Sequence, residues 1–446
     1  MGRGFGLKPG TGNAARLLWR QSISVALAYV GVIVGAGLSS GQDILQYFLS
    51  FGRVGILGVV AMGVLNVVFG RIMVTLGSYY QAESHEQVFS EITRPVIGRV
   101  IDVILVVASF VMGFVMIAGA GANLQQQFGI PSWAGALACA LLIVAVSFLD
   151  FGRITRILGV FTPVIIVMIL LITAYAVASG PHDVDALEAA ARTIEPAIPS
   201  LWLSVLNYFA LCALTGVSMA FVLGGSIVRI GVAQRGGTIG GVLIGLIVTC
   251  AAVALYLNLP SVKDADIPML SIVAGISPVL AVVYAVVISA LIFNTAFSLF
   301  YATARRFAGG SDRRLRAVMA GVVAAGFACS FGGFKSLVGV MYPVLGYLGI
   351  VLLVVLAVAW VRERAGIMRE MLLRRSMIRL LLKRHDVRRD FTPSDTAAFE
   401  RLSDASVVET QAIRQTMDAY AREAAQRRSD IVTEQDVRGD GGEGGR

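Results

Sequence analysis

The sequence predicts an all-α integral membrane protein of ten transmembrane helices, arranged as two inverted halves of five (a 5+5 inverted repeat), with a helical cytoplasmic tail. Three observations predict it. Of 446 residues, 57% are hydrophobic and only 15% charged, against about 25% charged in soluble domains; mean hydropathy is +0.78. Apolar stretches recur at the length of roughly 20 residues that a helix needs to cross about 30 Å of hydrocarbon. The loops between them alternate between rich and poor in Lys and Arg, as expected when basic residues stay on one side of the membrane.

Taken in order, the stretches are Ser22–Phe51, Val54–Tyr79, Val100–Leu124, Trp133–Leu149, Ile157–Ala178, Leu201–Ile227, Gly236–Leu257, Ile272–Thr303, Ala317–Gly333 and Leu337–Val361. The first is preceded by Arg16 and Arg20, as a signal peptide would be, but it runs past a normal h-region and lacks an A-x-A cleavage site. Arg3, Lys8, Arg16 and Arg20 precede span one; Arg94 and Arg99 follow span two, Arg153 and Arg156 span four, and Arg229 and Arg235 span six. Arg305, Arg306, Arg313, Arg314 and Arg316 follow span eight, while the intervening loops carry at most one basic residue each. This pattern places both termini in the cytoplasm and the chain in the plasma (inner) membrane. It divides the sequence into an N-terminal segment (1–21), a body (22–362, with repeats 22–178 and 201–361) and a tail (363–446).

The inner loop from Glu83 to Arg94, mixed in charge, is expected to be helical, with His85 on its surface. The acidic outer loop Pro181–Pro199 is expected to hold a short helix. In the tail, Arg362 to Arg389 interleaves Ile367, Met371, Leu372, Ile378, Leu381 and Leu382 with arginines and a lysine. That is a basic amphipathic helix, suited to the anionic inner leaflet or to docking on the protein's own inner face. Thr392-Pro-Ser-Asp395 reads as a helix start, a polar helix is expected over roughly Ser406–Arg428, and the glycine-rich end from Gly439 is expected to be disordered.

Span one is interrupted. Between apolar runs Ile23–Val34 and Ile44–Phe51 lie Gly35-Ala-Gly-Leu-Ser-Ser-Gly-Gln-Asp43. Glycine weakens a helix by roughly 1 kcal/mol relative to alanine, and open backbone in hydrocarbon lacks partners unless it lines a cavity or is covered by protein. Span six carries a matching interruption, Thr215-Gly-Val-Ser218, about fifteen residues in. Glycine and serine there also suit close helix packing. Paired interruptions in inverted halves point to a binding site near the midplane, so spans one and six are expected to be broken and adjacent.

At such a break the free N–H groups of one half-helix face an anion and the free carbonyls of the other face a cation. Gly35, Ala36, Gly37, Ser39 and Ser40 are the candidates to meet a carboxylate-like solute end, with Thr215, Gly216 and Ser218 opposite. Gln42 is a further polar contact or a gating residue. Asp43, past the break, is an outer-gate residue, a proton-coupling residue or a water-facing aspartate at the outer mouth.

Gly35-Ala-Gly-Leu-Ser-Ser-Gly-Gln-Asp-Ile-Leu-Gln46 resembles the first-span signature of the YkvI-type membrane proteins, and Met116-Ile-Ala-Gly-Ala-Gly-Ala-Asn-Leu124 resembles their third-span motif. The resemblance covers residues 20–362 and departs at Asp43, where the family usually has glutamate. It implies membership of the amino acid–polyamine–organocation (APC) superfamily and its LeuT-like fold. In LeuT-type carriers a hydroxyl pair on the inner half of span eight joins first-span carbonyls around sodium. By that resemblance Val34 offers a carbonyl, and Asn294 and Thr295 match the pair with an amide in place of one hydroxyl. Ser298 follows one turn after Asn294. Oxygen ligands suit a hard cation; interhelical hydrogen bonding is the alternative for these side chains.

The functional expectation is a secondary active transporter of a small amino-acid-like or organic solute, working by alternating access and coupled to sodium or protons. The alternative is a transporter-like sensor or scaffold signalling through the tail. An enzyme is not expected. His85, His182 and His385 lie in loops or tail, and Cys139, Cys212, Cys250 and Cys329 fall singly in apolar segments, without metal or redox spacing. No ATP-binding loop is present. The expected partners are the solute and the lipid bilayer. The +9 charge sits in loops and tail, which points to an anionic membrane face and away from nucleic acid. No cofactor is expected apart from sodium.

Overall fold

The computed structural model describes residues 11–34, 39–148, 161–179, 183–309, 311–384 and 390–422. Helices dominate because hydrocarbon offers no partner for a backbone group, so each spanning segment must satisfy its own. Among the described residues eight helices are long and apolar enough to cross a membrane, and Leu18–Ile33 and Ser132–Val146 are shorter apolar helices. Span one comprises α1 (Thr11–Ile33) and, after the break, α2 (Gln42–Tyr47); span two is α3 (Val54–Tyr80). After the inner-loop helix α4 (His85–Ile92) come α5 (Pro95–Phe128), α6 (Ser132–Val146) and α7 (Phe161–Ala178), spans three to five. The acidic loop holds α8 (Val184–Ala191), capped by Asp183. Spans six and seven are α9 (Leu201–Gly225) and α10 (Ile230–Leu257). Short helices α11 (Leu259–Val262) and α12 (Pro268–Ile276) precede α13 (Pro278–Ala308), α14 (Asp312–Cys329) and α15 (Phe334–Arg384), spans eight to ten. The tail continues with α16 (Pro393–Asp404) and a helix over 410–422, α17.

The contacts sort the spans into two groups. α1, α3, α9 and α10 pack as a four-helix bundle, while α5 and α13 pair with each other and with α6 and α14. α7 lies on α10 and α13, and α15 lies mainly on α9. Small residues let the bundle helices approach closely, which is how spans associate when lipid removes the hydrophobic drive. A Cβ on Gly241 of α10 would stand 2.5 Å from the Asn66 carbonyl oxygen of α3, and one on Gly245 would stand 2.8 Å from the Gly63 Cα. Between α5 and α13, the Asn123 amide donates to the Ala285 carbonyl and the Ser289 hydroxyl, each at 2.9 Å.

Three expectations need correction. Span six is one continuous helix across Thr215–Ser218. Its glycine serves packing: a Cβ on Gly216 would sit 2.5 Å from the Ile33 Cδ1 at the end of α1. The stretch assigned to span eight starts as a separate helix, α12, because Pro278 takes up α13's first turn after extended Ser277. The basic tail helix is the direct continuation of span ten in a 51-residue helix.

That continuation docks on the body, as in the second of the two roles open to it. Arg374 is buried, with its Nε on Glu370 at 2.8 Å, Nη1 on the Ser78 carbonyl at 2.7 Å and Nη2 on the Tyr79 carbonyl at 2.6 Å. Glu370 also accepts from the Ser406 hydroxyl (2.7 Å) and the Val407 N–H (3.3 Å). Met377, Ile378 and Leu381 form a small core with Val228, Ile413 and Met417. The predicted helix start at Thr392 is a capping box with Asp395. Lys383 and the Thr392 groups donate to the Asp395 carboxylate and hold its pKa down to about 2. Near α4, His85 is 3.7 Å from Asp102, and Arg306 bridges Glu86 and Asp102. Burial is the main cause of a lowered His85 pKa; Asp102 opposes that shift and Arg306 adds to it.

Two outcomes follow from this packing. Gly241→Val drives α3 and α10 apart and costs about 1–3 kcal/mol, to be read as a lowered thermal midpoint in detergent. Arg374→Ala leaves Glu370 buried without its cation, a loss of about 3–5 kcal/mol for such pairs. The expected result in limited proteolysis is rapid cleavage after residue 384 while the body stays resistant.

Candidate solute site at the break in span one

The break begins where α1 ends. Val34 is buried in a bend after Ile33, and its N–H still donates to the Val30 carbonyl at 2.8 Å. Helical backbone resumes at Ser39 and Ser40, and Gly41 takes φ +79°, a left-handed conformation natural to glycine. Its pro-side-chain face is filled as well: a Cβ there would lie 2.9 Å from Met269 and 3.0 Å from Leu255. Gly35, Ala36 and Gly37 lie outside the described residues.

Every residue of α2 is buried, and neighbours from four directions hold it. The Tyr284 hydroxyl of α13 donates to the Ser39 carbonyl at 2.8 Å. From α9, the Ser204 hydroxyl donates to the Tyr47 carbonyl at 2.7 Å, and Asn207 accepts from the Tyr47 hydroxyl at 3.3 Å. Asn207 itself donates to the Pro343 carbonyl inside α15 at 2.9 Å. The Gln46 amide donates to the Lys335 carbonyl at the start of α15 (3.2 Å), and the Ala197 N–H donates to the Gln46 carbonyl (3.1 Å). Glu188 of α8 accepts from the Arg53 N–H at 2.8 Å and the Tyr256 hydroxyl at 2.7 Å, which holds its pKa low and closes the same face.

Asp43 lies inside this cover at 2% exposure, which removes the water-facing reading. Its carboxylate accepts from the Tyr208 hydroxyl of α9 and from the Ile44 N–H at 3.0 Å. Tyr208 is itself walled by Tyr47 (ring centroids 5.0 Å apart) and by Phe48, edge-on at 5.4 Å. A buried carboxylate is costly unless hydrogen-bonded, and this one has a single side-chain donor among the described residues.

Ser39 and Ser40 are both buried, and the Ser40 hydroxyl accepts from the Gln42 N–H at 3.3 Å. Thr215 is half-buried and bonds back to the Leu211 and Cys212 carbonyls; Ser218 is half-buried; Gly216 touches span one. On α13, Asn294, Thr295 and Ser298 are half-buried, and Thr295 donates to the Leu291 carbonyl at 2.9 Å. The Asn294 Oδ1 and Gln42 Oε1 are buried without a donor among the described residues, unlike most buried polar atoms. The geometry therefore joins the break to span six through Ile33 and Gly216 and to span eight through Tyr284, ten residues before Asn294. Tyr284, Ser204, Tyr47 and Pro343 escaped the sequence reading. A tyrosine or serine in an apolar span is a faint signal, and a proline carbonyl gives none. Cavities of about 100 Å³ (beside Trp133 and Asp266) and about 270 Å³ (beside Arg229 and Arg375) have no residue of the break in their lining.

No protein-family model matches the chain. Its homologues are YkvI-type proteins. It is 24% identical over 327 residues to "Uncharacterized membrane protein YkvI" of Bacillus subtilis (strain 168), covering 73% of this chain and 92% of that one. It is 25% identical over 341 residues to "Uncharacterized protein YyaD" of the same organism, covering 76% and 97%. Among solved structures it is similar to MhsT in complex with L-phenylalanine (TM-score 0.53, 14% identity, 91% of this chain and 97% of that one). It is also similar to the inward-facing conformation of Mhp1 (TM-score 0.51, 14% identity, 76% and 75%). The chain is a multi-pass membrane protein with a LeuT-type fold.

Tyr208→Phe removes the side-chain donor to Asp43 and leaves a buried acceptor short of a partner, at a cost of about 1–3 kcal/mol. The expected outcome is a lowered thermal midpoint, largely restored in the Tyr208→Phe, Asp43→Asn double variant; additive losses in the two single variants would refute the pairing.

Proposed function

We propose that this protein is a secondary active transporter of a small amino-acid-like solute, working by alternating access. The observation that carries the reading is the break in span one, whose far half, α2, is buried and tied to spans six, eight and ten. A helix interrupted at membrane depth is tolerated where it lines a cavity or is covered by protein. In this reading the solute's carboxylate meets the N–H and hydroxyl groups of Gly35, Ala36, Gly37, Ser39 and Ser40, with Gln42 beside them. Thr215, Gly216 and Ser218 form the facing wall on an unbroken span six, where the Thr215 hydroxyl hydrogen is given to carbonyls of its own helix. The fold shared with MhsT, solved with L-phenylalanine, supports an amino-acid-like solute.

Coupling is assigned to the same region. The donor-free Asn294 Oδ1 fits a hard cation, so Val34, Asn294, Thr295 and Ser298 are the residues that would hold sodium. A bound sodium ion supplies a fixed positive charge that favours an anionic solute end. Asp43 and Tyr208 form the closure on the far side of the break. In this reading opening that side separates the pair and exposes the carboxylate, which makes Asp43 the residue to carry a coupled proton. The ten-span count, the 5+5 repeat and the placement of both termini in the cytoplasm belong to the same proposal, supported by the charge pattern of the loops.

The docked tail, with a small core of its own, favours one second reading: a sensor that keeps the site and signals through the tail. Counterflow in proteoliposomes, screened over amino acids with and without sodium and pH gradients, tests the two. The expected result is gradient-driven accumulation of one solute class, reduced at least about tenfold by Asn294→Leu if sodium is the driver. Binding without flux under either gradient would sink the transporter reading and favour the sensor.

A further inference from the structure

The cavity of about 270 Å³ on the tail-bearing face is built from three separate parts of the chain. Leu18 of α1, the Arg229–Arg235 stretch at the start of α10, and Met371 to Ile378 of α15 line it. Four arginines stand around it: Arg229, Arg235, Arg374 and Arg375. Arg374 is spent on Glu370 and backbone carbonyls. The other three have no carboxylate within ion-pair distance among the described residues, and no acidic side chain lines the cavity. The Arg229 guanidinium lies over the Tyr420 ring at 5.3 Å, and its Nε is buried without an acceptor among the described residues.

Leu18, Met371 and Ile378 give the cavity an apolar wall, and Leu372 beside it is 54% exposed. A cationic rim over an apolar wall, where transmembrane helices leave the membrane, is the chemistry that holds an anionic lipid: guanidinium forks for the phosphate, apolar contacts for the chain. We infer that this cavity binds the headgroup of an anionic phospholipid from the leaflet on the tail side. A soluble phosphate would use the arginines and leave the apolar wall without purpose. Because the walls come from α1, α10 and α15, the bound lipid adds a further tie between tail and body beside Arg374 and the Val228 core.

Full-length protein in neutral detergent, titrated with dioleoyl phosphatidylglycerol, dioleoyl phosphatidylcholine or inorganic phosphate while its thermal midpoint is followed, tests this. Phosphatidylglycerol is expected to raise the midpoint saturably, and the other two to leave it unchanged. Arg235 and Arg375 are exposed, so R235Q/R375Q is expected to keep the lipid-free midpoint and weaken the apparent phosphatidylglycerol affinity by about tenfold or more. Met371→Trp, which fills the cavity and leaves every arginine, is expected to abolish the saturable shift. An equal response to phosphatidylcholine, or undiminished affinity in either variant, would overturn the assignment. An equal shift with inorganic phosphate would also overturn it, in favour of a soluble anion.

Discussion

A spanning helix that stops partway must hand its backbone groups to something other than itself, and the structure is arranged around that obligation. The carbonyls freed around α2 go to Tyr284, Ser204 and Ala197, and its side chains go to Asn207 and Lys335. Each such bond contributes only about 0.5–1.5 kcal/mol net, but leaving a buried group unpaired costs about 1–3 kcal/mol. The donors are therefore bound to the break by penalty as much as by gain. Their positions fix spans six, eight and ten around the far half of span one.

The body of the fold was legible because hydropathy and loop charge are long-range averages that survive local error. Span two was expected at Val54–Tyr79 and observed at Val54–Tyr80. The Thr392 cap was legible because its chemistry is local. Span six was misread because Gly216 can serve either an unwound turn or close approach to Ile33, and residue type does not separate the two. The continuation of span ten was misread for a similar reason. Glu370 and Arg374 stand four apart on a basic helix, the spacing of an ordinary solvated pair, yet both are buried against the ends of α3 and α9.

Within the candidate site, the sequence identified Asp43 as an ionisable group past the break, and the structure adds its partner, Tyr208. It did not reveal that one asparagine links three elements, receiving from Tyr47 and donating to Pro343 while standing on α9. Such a bridge depends on which helices are neighbours, and neighbours are set by tertiary packing. Gly346 makes room for it: a Cβ there would lie 2.1 Å from the Asn207 side chain.

The long helix α15 has a mechanical meaning. It is fastened near Pro343 to Asn207 of α9, and again near Arg374 to Val228, just beyond α9, and to Ser78 and Tyr79 of α3. At about 1.5 Å of rise per residue the two fastenings stand roughly 45 Å apart. A stiff rod held at both ends to the same partner cannot swing against it. Any rocking of the bundle of α1, α3, α9 and α10 past α5 and α13 thus carries α15 as a fifth strut. The tail cap, riding on the rod's end, turns with that body and registers its angle on the solvent side.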